Sequence, residues 1–190
     1  MNLTGILPFA RELLKKSVPL NGVAVDATAG NGHDTVFLAK LVGEKGTVYS
    51  FDVQKNAVAA TEKRVKAEQA DCQVQLIHNG HEKLETYLSD THRGNIDGAV
   101  FNLGYLPGSD KTVVTAPDTT ISAVEQLTKH LKPGGIIVLV VYYGHEEGKI
   151  EKDELLPFVR SLPQEDFHVL EYRFTNQRNS PPFVIAVEKR

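Results

Sequence analysis

Two acidic residues and a glycine-containing loop form the pattern in this sequence with the clearest chemical meaning. The apolar residues 23–25 end in Asp26, and the small residues that follow include Gly30 and Gly32. A second apolar run ends in Asp52. Glycine lets the backbone come close to a ligand, and one carboxylate offers acceptors to both hydroxyls of a ribose. The pattern therefore predicts a site for an adenosine-containing cofactor.

The identity of that cofactor is indicated by a glycine that is missing. The dinucleotide-binding pattern has a third glycine where this chain has Thr35. A ligand without a pyrophosphate needs less backbone clearance, so S-adenosylmethionine fits better than a nicotinamide cofactor. A nicotinamide-dependent oxidoreductase and a non-catalytic cofactor-binding subunit are the alternatives from other functional classes.

Further cofactor contacts are expected where the strands end. Asp26 is placed to hold the amino group of the methionine moiety, or to cap the helix that follows. Asp52 is assigned to the ribose, with a helix N-cap as its alternative. Asp34 suits either the cofactor or the positive end of the helix dipole. The other predicted cofactor contacts are Gly30, Asn31, Gly32, Gln54, Gly80, His81 and Asn102. No metal is predicted, because nothing completes a coordination shell around the two histidines at 78 and 81.

The residues that follow the fourth and fifth predicted strands are candidates for catalysis and substrate binding. The candidate catalytic residues are Asn102, Tyr105, Asp110 and His145; Asp110 and His145 are expected as proton acceptors, or as surface or capping residues. Aromatic side chains stack on unpaired RNA bases, and cations contact phosphates. The predicted substrate contacts are Tyr105, Lys111, Tyr142, Tyr143 and Arg178, the tyrosines having ordinary packing as their alternative.

Alternating strand and helix patterns predict how these residues are brought together. Strands are expected at 22–26, 47–52, 73–78, 96–102, 135–142, 167–174 and 182–188, and helices at 33–42, 55–69, 81–89, 118–131 and 151–161. The short connection between the last two strands requires an antiparallel hairpin. The prediction is one α/β domain over residues 1–190: a Rossmann-like, seven-stranded, mostly parallel sheet with helices on both faces. Residues 1–20 are expected to form a helical segment packed on that sheet.

Composition narrows the class of protein further. The chain has 190 residues, is 41% hydrophobic and 24% charged, and carries a formal charge of −3. A net negative charge is not typical of proteins that bind nucleic acid, although a local basic patch is sufficient for such binding. A single cysteine, Cys72, and the lack of a secretory or membrane-spanning segment predict a cytoplasmic protein.

Five segments together resemble one known family. They read VDATAGNGHDT, SFDVQ, HNGHE, FNLGYLPGSDK and PPFVIAVEK. They resemble small bacterial class I methyltransferases labelled rRNA methylases, which include tRNA 5-(aminomethyl)-2-thiouridylate methyltransferases. The resemblance implies methyl transfer from S-adenosylmethionine to the amino group of a modified wobble uridine, with the anticodon loop of tRNA as partner. An rRNA or a small amine is the alternative substrate, and formation of a homodimer is left open.

The loop after the fourth predicted strand is also similar to the Asn-Pro-Pro-Tyr motif of amino-group methyltransferases. In that motif the asparagine side chain and the next carbonyl orient the hydrogens of the target nitrogen. Asn102 and Tyr105 match the motif, whereas Leu103 and Gly104 replace the two prolines. The resemblance therefore implies an orienting role for Asn102 and leaves the role of the carbonyl open.

Overall fold

The structure, a computed structural model, describes residues 2–104 and 115–190. Its strands are β1 (Val23–Asp26), β2 (Thr47–Asp52), β3 (Val74–His78), β4 (Ile96–Leu103), β5 (Leu131–Val141), β6 (Phe167–Tyr172) and β7 (Phe183–Lys189). Its α-helices are α1 (Ile6–Ser17), α2 (His33–Val42), α3 (Lys55–Ala67), α4 (Leu84–Tyr87), α5 (Pro117–His130) and α6 (Glu146–Arg160).

The strands form one sheet in the order β3-β2-β1-β4-β5-β7-β6. Strands β1 to β5 pair in parallel, and β7 pairs antiparallel with both β5 and β6. The predicted α/β architecture with a C-terminal antiparallel hairpin is therefore confirmed. The strand order reverses between β1 and β4, which is the place where open sheets of this kind bind ligands.

Helices cover both faces of the sheet and create two buried clusters. One face packs β-strand residues such as Phe101 and Leu139 against Leu127 of α5 and Leu155 of α6. The other face packs Val100, Val138 and their neighbours against α1 and α2. Each fully buried aliphatic or aromatic side chain contributes roughly 1.5–3 kcal/mol relative to exposure. Residues 136–141 of β5 are buried throughout, as a strand covered on both faces requires.

Helix α1 lies on the second of these faces. Pro8 stands in its first turn, where a proline is tolerated because the missing N–H would have no partner within the helix. Ala10 and Leu14 of α1 are buried in the cluster that contains Val100 and Ile136. This packing holds α1 across β4 and β5. Within residues 2–104 and 115–190, no helix is both long enough and apolar enough to cross a membrane.

The largest differences from the prediction concern three elements. Strand β5 begins at Leu131 because Leu131 pairs with Ile96 before a register shift at the following Pro-Gly-Gly segment. Helix α6 begins at Glu146, five residues ahead of the predicted start. Its first turn was not predicted because it includes Gly148, and glycine has a low helix propensity. The helix predicted at 81–89 is a 3₁₀ turn at His81–Lys83 followed by the single-turn α4.

Candidate functional site

A cavity of about 840 Å³ opens at the carboxyl ends of the five parallel strands. Its size is at the upper end of the range usual for small-molecule sites. Residues that follow each of these strands line it, and so do residues from α1 and from the start of α5. The lining residues include Arg11, Gly30, Asn31, Asp34, Asp52, Gln54, Gly80, His81, Asn102, Gly104, Thr115, Tyr142 and His145.

The glycine loop after β1 has a backbone that only glycine adopts readily. Gly30 and Gly32 have φ angles of 54° and 78°. Gly30 and Asn31 line the cavity. Gly32 faces α3 instead, where an added Cβ would lie 2.9 Å from the Cα of Thr61. The first glycine therefore opens the cavity floor, and the second allows α3 to pack against the loop.

Asp52 is held at the cavity by two backbone N–H groups. Gly30 donates a 2.9 Å hydrogen bond to Oδ2, and Gln54 donates a 2.9 Å hydrogen bond to Oδ1. Each carboxylate oxygen has capacity for a second bond. Asp52 therefore presents two fixed acceptors at the carboxyl end of β2, and Gln54 lines the cavity beside it.

Asp26 lies beneath the cavity and is fully buried. Thr35 Oγ1 bonds Asp26 Oδ2 at 2.6 Å, and the backbone N–H of Thr28 donates to Oδ1 at 3.2 Å. Burial, followed by the negative charge of Asp34, raises the pKa of Asp26 to about 7. Because Asp26 is not among the lining residues, the structure does not place its carboxylate in the ligand space.

Thr35, the residue that replaces the third glycine, is also buried. Its hydroxyl lies 2.8 Å from Ser50 Oγ as well as bonding Asp26. The side chain at position 35 thus helps to hold the buried residues beneath the glycine loop.

The 3₁₀ turn after β3 carries the residues predicted to face the adenine. The N–H of Gly80 donates to the Asn79 side chain, and its carbonyl accepts from Lys83, so both backbone groups are used locally. His81 Nδ1 lies 2.9 Å from the carbonyl of Ala27 and must donate to it. Burial lowers the pKa of His81, which favours the neutral ring. Its Nε2, then an acceptor, has no hydrogen-bond partner in the described part of the chain.

Asn102 lies near the end of β4 and is fixed through both its backbone and its side chain. Its backbone N–H donates to Thr28 Oγ1 at 2.8 Å, and its Nδ2 donates to Asp34 Oδ2 at 2.9 Å. The carbonyl of Leu103 accepts a 3.1 Å bond from the N–H of Tyr142. The carbonyl that the Asn-Pro-Pro-Tyr motif aims at its substrate is therefore bonded within the sheet here.

Gly104 shows why this loop cannot carry the second proline of that motif. Its φ of 147° is closed to proline, and an added Cβ would lie 3.3 Å from the Cβ of Tyr142. Its N–H donates to Thr115 Oγ1 at 3.0 Å, and its carbonyl accepts from the N–H of Thr115 at 3.2 Å. Thr115 Oγ1 in turn donates to Glu151 at 2.6 Å. Glu151, almost fully buried, also accepts a 2.6 Å bond from Thr120, and burial raises its pKa.

Of the residues predicted to face the cleft after β5, two line the cavity and one does not. Tyr142 and His145 line the cavity. Burial raises the pKa of Tyr142, with a smaller effect from the charge of Asp34. Tyr143 was expected to face the cleft, but its ring packs edge-on against Phe183, 5.5 Å between centroids, and does not line the cavity. Tyr143 therefore has the ordinary packing role that was the alternative to substrate contact.

Arg178 is exposed on the connection between β6 and β7 and does not line the cavity either. Tyr105, Asp110 and Lys111 lie outside the described residues. Within the described ranges, no group of three or more His, Cys, Asp and Glu residues is arranged to hold a metal ion.

The contribution of α1 to the site was not predicted from the sequence. Leu7 and Arg11 line the cavity, and Arg11 forms a 2.8 Å ion pair with Asp34. The available signal was the four-residue spacing of these two residues, which puts them on one helix face. Nothing local in the sequence indicates that this face lies beside the end of β4.

Comparison with known proteins shows the family to which this chain belongs. A family model described as "Putative rRNA methylase" matches residues 48–188. The chain belongs to this rRNA methylase family. It is 36% identical over 174 residues to an Arabidopsis thaliana protein named tRNA (mnm5s2U34)-methyltransferase, chloroplastic. That alignment covers 87% of this chain and 62% of the plant protein, so the chain spans less than two thirds of the relative's length.

Solved structures of rRNA methylase relatives match over the whole chain. A "putative rRNA-methylase" from Clostridium thermocellum is 38% identical, with a TM-score of 0.96 and 100% coverage of both chains. A "putative methyltransferase" from Streptococcus mutans, solved in complex with S-adenosylhomocysteine, is also 38% identical. Its TM-score is 0.89, with 99% coverage of both chains. The fold is therefore that of a class I methyltransferase.

Proposed function

We propose that this chain is an S-adenosylmethionine-dependent methyltransferase whose substrate is tRNA. The target is the amino group of 5-aminomethyl-(2-thio)uridine at the wobble position, within the anticodon loop. The observation that carries the proposal is that one cavity contains both the fixed acceptors of Asp52 and the side chain of Asn102. The names of the plant and streptococcal relatives support the substrate and the cofactor, respectively.

The cofactor half of the cavity fits S-adenosylmethionine. Asp52 accepts hydrogen bonds from the ribose hydroxyls, and the glycine loop at Gly30 and Asn31 passes along the ligand. Gln54, Gly80 and His81 surround the adenine. The ring of His81 lines the cavity beside Gln54 and Gly80. When bound, S-adenosylmethionine supplies an electrophilic methyl group on a positively charged sulfur.

The other half of the cavity orients the nucleophile. Asn102 Oδ1 accepts an N–H of the neutral amine and turns the nitrogen lone pair toward the methyl carbon. A C–N bond forms, the C–S pair stays on sulfur, and the amine then releases a proton. His145 in the cavity and Asp110 outside the described residues are the proposed proton acceptors. Holding both reactants in this geometry is worth roughly 7–11 kcal/mol in favourable cases.

The cavity also offers contacts to an extruded nucleotide. Tyr142 lines it, and we assign Tyr142 and Tyr105 to contact with the base. Arg178, which does not line the cavity, and Lys111, which lies outside the described residues, are assigned to phosphates. A volume of about 840 Å³ is compatible with a cofactor and a single base together.

Labelled methyl transfer tests the proposal. The purified protein is incubated with methyl-labelled S-adenosylmethionine and tRNA that carries the unmethylated aminomethyl group. Nucleosides are then separated and identified by mass spectrometry. Label in the wobble nucleoside, appearing far more slowly with Asn102→Ala, is the expected result.

Other outcomes overturn the proposed substrate or the proposed cofactor. Label confined to rRNA, or to a small amine added as competitor, excludes tRNA as substrate; the formal charge of −3 makes the small amine the natural competitor. Stabilisation by NAD in place of S-adenosylhomocysteine in a thermal-shift assay excludes the cofactor.

A further inference from the structure

Asp34 joins α1 to the end of β4 through the two oxygens of its carboxylate. Oδ1 accepts from Arg11, 2.8 Å from Nη2 and 3.2 Å from Nε. Oδ2 accepts from Asn102 Nδ2 at 2.9 Å. The side chain of Asp34 is only 19% exposed, whereas that of Arg11 is 44% exposed. Arg11 also lies over the ring of Phe37, 5.1 Å from its centroid.

The chemistry of the three groups fixes which way the Asn102 amide faces. An ionised carboxylate and a guanidinium have one role each, acceptor and donor, so Asp34 must receive from both neighbours. The amide of Asn102 must therefore turn its nitrogen toward Asp34. Its oxygen, on the other arm of the planar amide, is left for another partner.

We propose that Asp34, held by Arg11, is a positioning residue that orients the Asn102 amide to present its oxygen to the substrate. This inference rests on the proposed function, because an amine substrate requires an acceptor at that point. It gives Asp34 a role through Asn102, in place of direct contact with the cofactor.

The proposal predicts an unusual pattern among variants. In Asp34→Asn, the one acceptor atom of the substituted side chain pairs with Arg11, and its NH2 group then faces Asn102. The Asn102 amide is forced to turn over and present a donor to the substrate. We expect kcat to fall about tenfold.

A second substitution should reverse part of this loss. Arg11→Met removes the competing donor, so that in the double variant Arg11→Met/Asp34→Asn the amide at position 34 turns its oxygen back to Asn102. We expect the double variant to have a higher kcat than Asp34→Asn alone. A second substitution that raises kcat in the Asp34→Asn background is not expected if Asp34 has a merely structural role. Glu68→Gln, which breaks the exposed 2.7 Å pair between Lys40 of α2 and Glu68, is the matched control and should leave kcat unchanged.

Two measurements accompany kcat. The affinity for S-adenosylhomocysteine, from calorimetry, should stay within about twofold in Asp34→Asn. A tenfold loss of affinity would make Asp34 a cofactor ligand and overturn the proposal, as would a double variant no faster than Asp34→Asn.

The side-chain amide NMR signals of Asn102, assigned by their loss in Asn102→Ala, should shift in Asp34→Asn and not in Glu68→Gln. This signal needs no substrate. Unshifted signals overturn the positioning role even when tRNA is methylated, whereas shifted signals without methylation of tRNA count against the proposed function alone.

Discussion

The proposed cofactor half of the cavity, around Asp52, and the proposed transfer half, around Asn102, are built differently. In the cofactor half, Asp52 is fixed by the backbone N–H groups of Gly30 and Gln54. In the transfer half, Asn102 is fixed by the side chain of Asp34, and Gly104 is fixed by that of Thr115. One half depends on main-chain geometry and the other on side chains supplied by several elements.

The proposed function gives this difference a chemical reason. The ribose needs two acceptors at a constant place, and a carboxylate tied to a glycine loop provides them in any sequence that keeps the loop. The target amine needs one acceptor with a defined direction. An amide has a donor and an acceptor arm, so its direction depends on what lies beside it. We expect substitutions in the cofactor half to change affinity and those in the transfer half to change rate.

The largest expected effect is in the transfer half. Asn102→Ala removes the acceptor for the amine and should lower kcat by about 100- to 1,000-fold, the usual loss for one preorganised polar group. The affinity for S-adenosylhomocysteine is measured in parallel by calorimetry. A variant that methylates at the wild-type rate would remove Asn102 from the reaction and favour a non-catalytic subunit.

Asp26, which lies beneath the cofactor half, should make the stability of the protein depend on pH. The pKa of Asp26 is raised from 3.8 to about 7, so between these values the folded chain holds a proton that the unfolded chain has lost. Stability should therefore fall as pH rises from about 4 to 7, by up to about 4 kcal/mol. The side chain of Asp26→Asn does not titrate, so the stability of this variant relative to wild type should improve as pH rises over that range. The groups that act on Asp26 are Asp34, Asp52, Thr28 and Thr35.

Urea denaturation of the cofactor-free protein at pH 5 and pH 7.5 checks this expectation. Glu68→Gln serves as the control. A difference between Asp26→Asn and wild type that stays constant with pH would contradict it.

A smaller effect is expected from the ribose contact. Asp52→Ala should weaken S-adenosylhomocysteine binding about 30-fold, or about 2 kcal/mol, because two hydrogen bonds are lost. Asp52→Asn keeps one acceptor oxygen and should lie between wild type and alanine. Calorimetry measures both, and unchanged affinity in Asp52→Ala would remove this residue from the site.

The smallest effect is expected at the surface. Arg178→Gln should weaken tRNA binding about two- to threefold and reduce the salt dependence by about one counterion. Lys66→Gln is the control, because Lys66 lies in the last turn of α3, away from the cavity, where it pairs with Glu62. Equal losses in the two variants would show that Arg178 makes no particular contact with tRNA.

Much of the fold could be predicted because its signals are local. The alternation of apolar runs and helix patterns predicted the sheet, and the short connection before Phe183 predicted the hairpin. The boundaries that failed depend on partners elsewhere. Leu131 joins β5 only because Ile96 lies beside it, and Gly148 is helical only within the packed first turn of α6.

The sequence by itself determined the sheet, the glycine loop and the places where Asp52 and Asn102 meet the cavity, because these follow from short patterns at strand ends. Only the tertiary structure decided that Asp26 lies buried beneath the loop and that Tyr143 packs against Phe183. It alone brought Arg11 to Asp34. The physical reason is that burial and side-chain pairing depend on residues far apart in the chain, whereas secondary structure depends mostly on near neighbours.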